Sequence, residues 1–490
     1  TVLRNVRIEG YGSGANGGLR IDNPSNPGDR VAIVENCLFR SSEPGATGVY
    51  LSGNARPSSF ENNVMDADTW SVSATMAGFD DVLGTSNTYE APLRLRGSGV
   101  TGRNLVWDKP LASDASTQPI RPSSSISVTD GSLDIQPGNR IEMPINAALT
   151  MTNSQLVVAG TESEPVLFEP VEGVDYWNRI RLRGTGSTGA SSITYAVLQS
   201  AGSSPGTAAG TSRAAITAEA FGGVPSTPSI RDSMIIDSNG YGLVFGDTTH
   251  CAGACDDNTI VGSRFSAVRM HGNYVGRFGT GNSLAGNDTT ATPGHEGFWV
   301  VGDVVDATAT WPANDVPYLM PGDYELRQSN PLDPVPVWTI EPGSELRFSS
   351  DRRLRVGEGN DGILDAQGTV AEPITFTSMD TATPVFWRGI DFNQGSDGSV
   401  LDHVVVSYGG RSSNTGNVNF RIGSVVTVGA VAFTHSEDYA AVIYTGSAPM
   451  FTGPAADRVY MLNGQESIPG AGDPTFDCVR DVSAGTCTQP

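Results

Sequence analysis

The chain has 490 residues, with 30 basic and 53 acidic side chains and a formal net charge of −23. This acidic balance argues against nucleic acid or an anionic membrane as a partner, because phosphate contacts need clustered Lys and Arg. The sequence contains no run of about 18 apolar residues, so no membrane-spanning helix is expected. Its 59 glycines and hydrophobic share of 38% favour a folded chain rich in turns.

The first part of the chain repeats one short pattern at steps of about 26 and 24 residues. The copies read E-N-C-L-F (35–39), E-N-N-V-M (61–65) and T-S-N-T-Y (85–89). Each predicts a polar corner followed by a short strand, since Asn tolerates the left-handed conformation and can hydrogen-bond to its copy in the next turn. The predicted corner residues are Asn36, Asn62 and Asn63.

Longer segments further along match each other. Residues 133–143 (L-D-I-Q-P-G-N-R-I-E-M) match 338–348 (W-T-I-E-P-G-S-E-L-R-F), and residues 177–180 match 387–390. Residues 1–12 match 191–202, so the chain begins in the middle of a repeat. These matches predict a partial module at 1–96 and two modules at 97–296 and 297–490. We expect upstream polypeptide or another copy of the chain to cap the first turn, because an open solenoid end exposes strand edges.

The spacing of these short strands predicts the fold class. No segment longer than about ten residues has a helical apolar period free of Gly and Pro. A period in the low twenties predicts an all-β solenoid of roughly 20 turns, whose stacked turns share one core. The apolar residues expected to point into that core include Ile33, Val64, Ile235 and Val405.

Three strings in the last module carry a resemblance. I-E-P-G-S-E-L-R-F (340–348), W-R-G-I-D-F (387–392) and L-D-H-V-V-V-S-Y-G-G (401–410) resemble the repeats of right-handed parallel β-helix proteins that bacteria secrete or display. Those proteins belong to the broad pectin-lyase-like superfold. The resemblance implies a fold and no particular activity, because polysaccharide lyases, polygalacturonases, phage tailspikes and adhesins all share it.

The five cysteines predict two local disulfides and one free thiol. Cys251 and Cys255 lie close together, as do Cys478 and Cys487, and such local pairs suit an extracellular, oxidising compartment. Cys37 lies in an apolar, strand-like run, which predicts a buried free thiol. A zinc site could be drawn from His250, the first pair, Asp256 and His271. The spacing lacks a C-x-x-C signature, so a disulfide is the favoured interpretation.

No catalytic or metal-ligating residue is predicted. The Gly-His-Gly and Arg-Ile-Lys segments of polygalacturonases are missing, and the pairs Asp80-Asp81 and Asp256-Asp257 are expected to be solvated loop charges. The turns 358–362 (E-G-N-D-G) and 255–258 (C-D-D-N) are rich in oxygen ligands that would suit Ca²⁺, but neither matches a calcium loop. No other cofactor is expected.

Two functions remain open at this point. The first is a non-enzymatic extracellular rod, structural or adhesive, within a larger bacterial surface or fibre protein, with a polysaccharide or cell-surface ligand. The second is a secreted carbohydrate-active enzyme, such as a polysaccharide lyase or hydrolase, or a carbohydrate-binding β-helix. A cleft in which Asp, Arg and aromatic side chains converge would favour the second.

Overall fold

The computed structural model describes residues 1–12, 17–22, 30–97, 99–185, 189–203, 213–253, 255–288, 296–380, 383–461, 463–464 and 477–488. In these ranges β-strand is the main regular structure and helix is scarce, and the strands stack in large parallel sheets. The chain divides into two compact units, Thr1–Arg264 and Phe265–Pro490. The module boundaries predicted after residues 96 and 296 stay a prediction, since this division reflects compactness and not repetition.

The described residues of the first unit form twenty-eight strands and one turn of α-helix. The helix α1 is Met76–Phe79, and a 3-10 helix, Asp80–Val82, follows it directly. The strands are β1 (Val2–Arg4), β2 (Arg7–Glu9), β3 (Leu19–Ile21), β4 (Arg30–Glu35), β5 (Leu38–Ser41), β6 (Thr47–Leu51), β7 (Arg56–Glu61), β8 (Val64–Ala67), β9 (Trp70–Thr75), β10 (Thr88–Tyr89), β11 (Leu93–Arg96), β12 (Gly99–Thr101), β13 (Asn104–Trp107), β14 (Ile120–Pro122), β15 (Ile126–Thr129), β16 (Ser132–Ile135), β17 (Arg140–Met143), β18 (Leu149–Thr152), β19 (Gln155–Ala159), β20 (Val166–Pro170), β21 (Ile180–Arg183), β22 (Ser192–Thr194), β23 (Ala196–Gln199), β24 (Ala214–Glu219), β25 (Ser229–Arg231), β26 (Met234–Ile236), β27 (Tyr241–Phe245) and β28 (Thr259–Val261).

The second unit contains strands β29 to β50 and two 3-10 helices, Gly272–Arg277 and Ala455–Asp457. The strands are β29 (Val268–His271), β30 (Phe298–Val301), β31 (Val304–Val305), β32 (Ala309–Trp311), β33 (Tyr318–Met320), β34 (Tyr324–Leu326), β35 (Val337–Ile340), β36 (Glu345–Phe348), β37 (Arg353–Val356), β38 (Ile363–Gln367), β39 (Ile374–Ser378), β40 (Gly389–Phe392), β41 (Ser399–Asp402), β42 (Val404–Ser407), β43 (Gly416–Phe420), β44 (Val426–Val428), β45 (Val431–Thr434), β46 (Tyr439–Ile443), β47 (Met450–Phe451), β48 (Arg458–Met461), β49 (Val479–Asp481) and β50 (Thr486–Thr488).

Most strands pair with the strand two or three positions further along the chain, so each sheet collects spaced segments. In the first unit the longest order is β3-β6-β9-β11-β14-β17-β20-β23-β26-β28. In the second unit the orders include β31-β34-β37-β40-β43-β46-β49-β50 and β32-β35-β38-β41-β44-β47. The described pairings between strands are parallel, except that β50 runs antiparallel to β49.

Asparagines form the corners that the sequence predicts. Asn36 and Asn62 have φ of 53° and 54°, the left-handed conformation expected of a corner. Asn63 instead follows the corner and is fully buried. Its Oδ1 accepts from the Cys37 main-chain N–H at 3.0 Å, and its Nδ2 donates to Asn87 Oδ1 at 3.1 Å. The hydrogen-bonded ladder between turns is therefore confirmed at this position.

The predicted inward-facing set is correct at one of its four positions. Ile235 is buried in the core, as predicted. Ile33, Val64 and Val405 lie on the other strand face and are partly exposed, while the next residue in each strand is the buried one. A shift of one residue in a strand exchanges its two faces, so the prediction misplaced the start of the alternation by one residue.

Matching sequence segments adopt matching contacts. Trp177 and Trp387 are both fully buried, and their indole Nε1 groups donate at 2.8 Å to the main-chain oxygens of Gln199 and Ser407. Gly138 and Gly343 have φ of 73° and 82°, as the P-G turns require. The aligned segments are thus equivalent in structure as well as in sequence.

Candidate ligand-binding groove

A groove of about 600 Å³ lies on the second unit. Its lining combines carboxylate, amide, guanidinium and aromatic groups with one exposed aliphatic side chain. The lining residues are Gly357, Glu358, Gly359, Asp361, Asn393, Gln394, Arg421, Ile422 and Tyr444.

The groove is built from the turns that follow four consecutive strands of one sheet, β37, β40, β43 and β46. The turns begin at Gly357, Asn393, Arg421 and Tyr444, and the main-chain N–H of each bonds to the end of the preceding strand in the sheet. These bonds measure 2.8 to 3.0 Å. Because neighbouring strands are about 4.8 Å apart, the four turns place side chains in a row across the sheet edge.

Arg421 is held in the groove from two sides. Its Nη2 and Nε donate to Asp391 Oδ1 at 2.9 and 3.2 Å, and the Asp391 side chain is only 7% exposed. Its guanidinium carbon lies 4.3 Å from the centre of the Tyr444 ring. The Tyr444 hydroxyl donates to the main-chain oxygen of Asn414 at 2.8 Å. A salt bridge and a cation–π contact therefore fix the position of this cation.

The opposite part of the groove carries acceptors. Asn393 Nδ2 lies 3.4 Å from Glu358 Oε2 and 3.3 Å from the main-chain oxygen of Asp391. Glu358 and Asp361 are exposed, and Ile422 is 69% exposed. Exposed acceptors beside an amide, a fixed guanidinium and an apolar surface can bind hydroxyl groups together with an apolar ring face.

The sequence analysis singled out only one of the turns that line this groove. The turn 358–362, expected to be rich in oxygen ligands, contributes Glu358, Gly359 and Asp361. Arg421 and Tyr444 were missed. A signal exists in the four turns, which begin G-E-G-N (357–360), N-Q-G-S (393–396), R-I-G-S (421–424) and Y-T-G-S (444–447) and so share a glycine at the third place.

No cluster of three or more His, Cys, Asp or Glu side chains that could hold a metal ion occurs among the described residues. In the other oxygen-rich turn, 255–258, the Asp256 carboxylate pairs with Arg231 at 2.9 Å, and Asn258 is buried. Asp257 is an exposed corner with φ of 57°.

The cysteines occupy the states expected of them. Cys251 and Cys255 are joined by a disulfide, with Cα atoms 5.9 Å apart, and Cys478 and Cys487 by another, with Cα atoms 5.5 Å apart. The second disulfide links the region of the antiparallel pair β49–β50. Cys37 is a buried free thiol.

The prediction that Asp80 and Asp81 are solvated loop charges is wrong. Both lie in the 3-10 helix after α1, with side chains 14% and 7% exposed. Arg103 Nη2 donates to both Asp80 oxygens at 3.0 and 3.2 Å, and Arg56 pairs with Asp81. Burial raises the pKa of Asp80 to about 6, and repulsion from the Asp81 carboxylate is the second cause of this rise. Their position in the 3-10 helix and their two arginine partners account for the difference, because both carboxylates are held away from solvent.

Comparisons with known proteins give no information about the groove, so its interpretation rests on its geometry. The chain matches no protein-family model, no curated protein and no solved structure. Among the residues that the structure describes, no helix is long and apolar enough to cross a membrane.

Proposed function

We propose that each unit is a right-handed parallel β-helix of the pectin-lyase-like type, with roughly 20 turns in all. The support is the order in which the chain visits its sheets: in the second unit, strands of three sheets alternate regularly from β30 to β48. The step between paired residues varies, from 20 residues between Phe298 and Tyr318 to 38 between Ala441 and Val479. Insertions in turns, with strands kept in register, account for this variation.

In function, the chain is proposed to be an extracellular structural or adhesive rod that holds a hydroxyl-rich polysaccharide in the groove of the second unit. The observation that carries this proposal is the fixed Arg421–Tyr444 pair facing exposed acceptors. Polysaccharides present hydroxyl groups and apolar ring faces, which this combination matches. The two disulfides support an oxidising, extracellular setting. The cap over the first turn, from upstream polypeptide or another copy, stays a prediction.

The test compares two substitutions of Tyr444. Tyr444→Ala removes the ring beneath Arg421, whereas Tyr444→Phe keeps the ring and loses only the hydroxyl bond to Asn414. A glycan array would identify a neutral oligosaccharide, and calorimetry would then measure its affinity for each variant. We expect at least a tenfold loss for Tyr444→Ala and little change for Tyr444→Phe. An unchanged affinity in Tyr444→Ala, or no oligosaccharide bound by the native chain, would contradict the proposal.

One observation favours the second function, a secreted carbohydrate-active enzyme. The raised pKa of Asp80, about 6, would allow this carboxyl group to exchange a proton near neutral pH, and Asp81 lies beside it. Turnover of soluble polysaccharides by the native chain, abolished in Asp80→Asn, would support an enzyme. Turnover that persists in this variant would remove Asp80 from consideration.

A further inference from the structure

A cluster of arginines lies on the long sheet of the first unit, on successive strands. Arg20 of β3 is in register with Tyr50 of β6, and Tyr50 with Ser73 of β9. Ser73 is in turn in register with Arg94 of β11, and Arg94 with Arg121 of β14. These side chains share one column of the sheet, because residues in register on parallel strands point to the same face.

Tyr50 organises the cationic end of this column. The guanidinium carbon of Arg96 lies 3.9 Å from the centre of the Tyr50 ring, and that of Arg20 lies 5.6 Å from it. Arg96 Nη1 also donates to the Tyr50 hydroxyl at 2.6 Å, and its Nη2 donates to the main-chain oxygen of Leu51. Arg94 lies 5.6 Å above the Trp70 ring. Two aromatic rings therefore hold three guanidinium groups on one face.

Two of the four arginines in this cluster, Arg94 and Arg96, are not balanced by carboxylates. Arg20 pairs with Asp22 at 2.7 Å, and Arg121 pairs with the buried Glu142. Within the described part of the chain, Arg94 and Arg96 form no salt bridge. The Arg96 Nε atom is buried without a hydrogen-bond partner. Burial, together with repulsion from Arg94 and Arg20, lowers the pKa of Arg96.

Such a concentration of positive charge is unexpected in a chain of net charge −23. Gathering like charges is unfavourable unless a ligand compensates them. At physiological ionic strength the screening length is about 8 Å, so the acidic remainder of the chain does not cancel the local field. The unbalanced arginines therefore indicate a ligand with negative charges.

We propose that Arg20 and Arg94, on the face that Tyr50, Trp70 and Arg96 organise, bind the carboxylate or sulfate groups of a linear acidic polysaccharide. Arg20 and Arg94 are exposed and contact the ligand, whereas Arg96 is held by Tyr50 and Leu51 and acts as a positioning residue. Guanidinium groups pair with both kinds of oxyanion through parallel N–H donors.

The spacing favours a linear polymer over a compact ligand. The strands β3, β6, β9 and β11 are neighbours in the sheet, with three intervals of about 4.8 Å between them. The column from Arg20 to Arg94 is therefore about 14 Å long. A linear chain with charges at intervals can contact both ends of this column at once, which a single small anion cannot. The site is independent of the groove on the second unit, so either proposal can fail without the other.

The test uses the full chain and three probes: dextran sulfate, a uronic-acid oligomer and uncharged dextran. Calorimetry at low and physiological salt would compare the native chain with Arg94→Gln. The matched control is Arg140→Gln, which removes one charge from the same sheet at a site where Arg140 is paired with Glu142 and Glu169. Thermal melting would verify that each variant is folded.

We expect the native chain to bind one or both acidic polysaccharides in a salt-dependent manner and not to bind dextran. Arg94→Gln should weaken that binding about tenfold, as expected for loss of one charged hydrogen-bonding partner, and Arg140→Gln should leave it nearly unchanged. The two acidic probes separate carboxylate from sulfate recognition. Equal losses in the two variants would overturn the proposal, since they would indicate general attraction only.

Two further measurements, calorimetry with a DNA oligonucleotide and sedimentation, test two other ligands. Binding of a DNA oligonucleotide as tight as that of the acidic polysaccharides would overturn the proposal in favour of an unselective polyanion site. Sedimentation of the protein alone would reveal self-association. If Arg94→Gln abolishes self-association and no acidic polysaccharide binds, the ligand is an acidic face of a second copy, and the proposal is wrong.

Discussion

Asn63 links three successive turns of the first unit, and its replacement by alanine should destabilise that region strongly. The side chain accepts from the Cys37 N–H and donates to the Val34 main-chain oxygen, both at 3.0 Å, and to Asn87 Oδ1. It is fully buried, so Asn63→Ala leaves these groups without their partner in the interior.

The magnitude follows from these three bonds. A buried N–H left unpaired costs about 1–3 kcal/mol, and each of the other two bonds contributes roughly 1 kcal/mol. The expected loss is about 3–5 kcal/mol in the free energy of local opening. A stacked repeat transmits such a loss mainly to its neighbours, so the effect should centre on strands β4, β5 and β7 to β10.

Hydrogen exchange followed by mass spectrometry is the appropriate assay, because a long repeat chain need not unfold in one step. Peptides covering 34–39 and 60–67 should exchange at least a hundredfold faster in Asn63→Ala, whereas peptides from the second unit should be unchanged. The matched control is Asn62→Gly, at an exposed corner with φ of 54°, a conformation that glycine adopts without strain. Unchanged exchange in Asn63→Ala, or equal acceleration in Asn62→Gly, would refute the role of the ladder.

Three further outcomes are expected. Because the pKa of Asp80 is about 6 in the folded chain against an ordinary 3.8, the folded chain binds this proton more tightly, and the free energy of unfolding should fall as the pH rises from 4 to 6. Chemical denaturation should find this fall reduced in Asp80→Asn. Trp177→Phe and Trp387→Phe each lose one buried indole bond, so calorimetry should show similar destabilisation of about 1–3 kcal/mol, and a large inequality would contradict their equivalence. Gly357→Ala should abolish ligand binding in the groove, measured by calorimetry, because φ is 75° and the added Cβ would collide with the main chain at Ser396.

The sequence was most informative where the backbone repeats. The E-N-x pattern located the left-handed corners at Asn36 and Asn62, because few residue types other than Gly and Asn adopt that conformation without strain. Matching tryptophans located equivalent buried contacts at Trp177 and Trp387. The strand faces were harder to predict, as Val405 illustrates. Valine is common on both faces of a strand, so its identity does not reveal which face it occupies.

The side-chain environments were not predictable, because they depend on neighbours one turn away. The local sequence around Asp80 and Asp81 indicates exposed charges. Their partners lie elsewhere in the chain: Arg56 is 25 residues from Asp81, and Arg103 is 23 residues from Asp80. The groove has the same difficulty. Tyr444 meets Arg421 only because β46 pairs with β43, and the two residues are 23 positions apart in the sequence.

Variation in turn composition explains why the candidate ligand sites take two different forms. Strands stay in register whether the paired residues are 20 or 36 positions apart, because main-chain hydrogen bonds fix each strand against the one before it. Turns are free of this constraint, so they can change length and composition while their first residues remain aligned by the strand ends. The groove uses the freedom in composition: the turns after β37, β40, β43 and β46 have five or six residues each and supply chemically different groups in one row. The arginine cluster uses the strands themselves, which place like groups at even spacing. A turn-built site therefore suits a ligand with varied contacts, and a strand-built site suits one that repeats a single charged group.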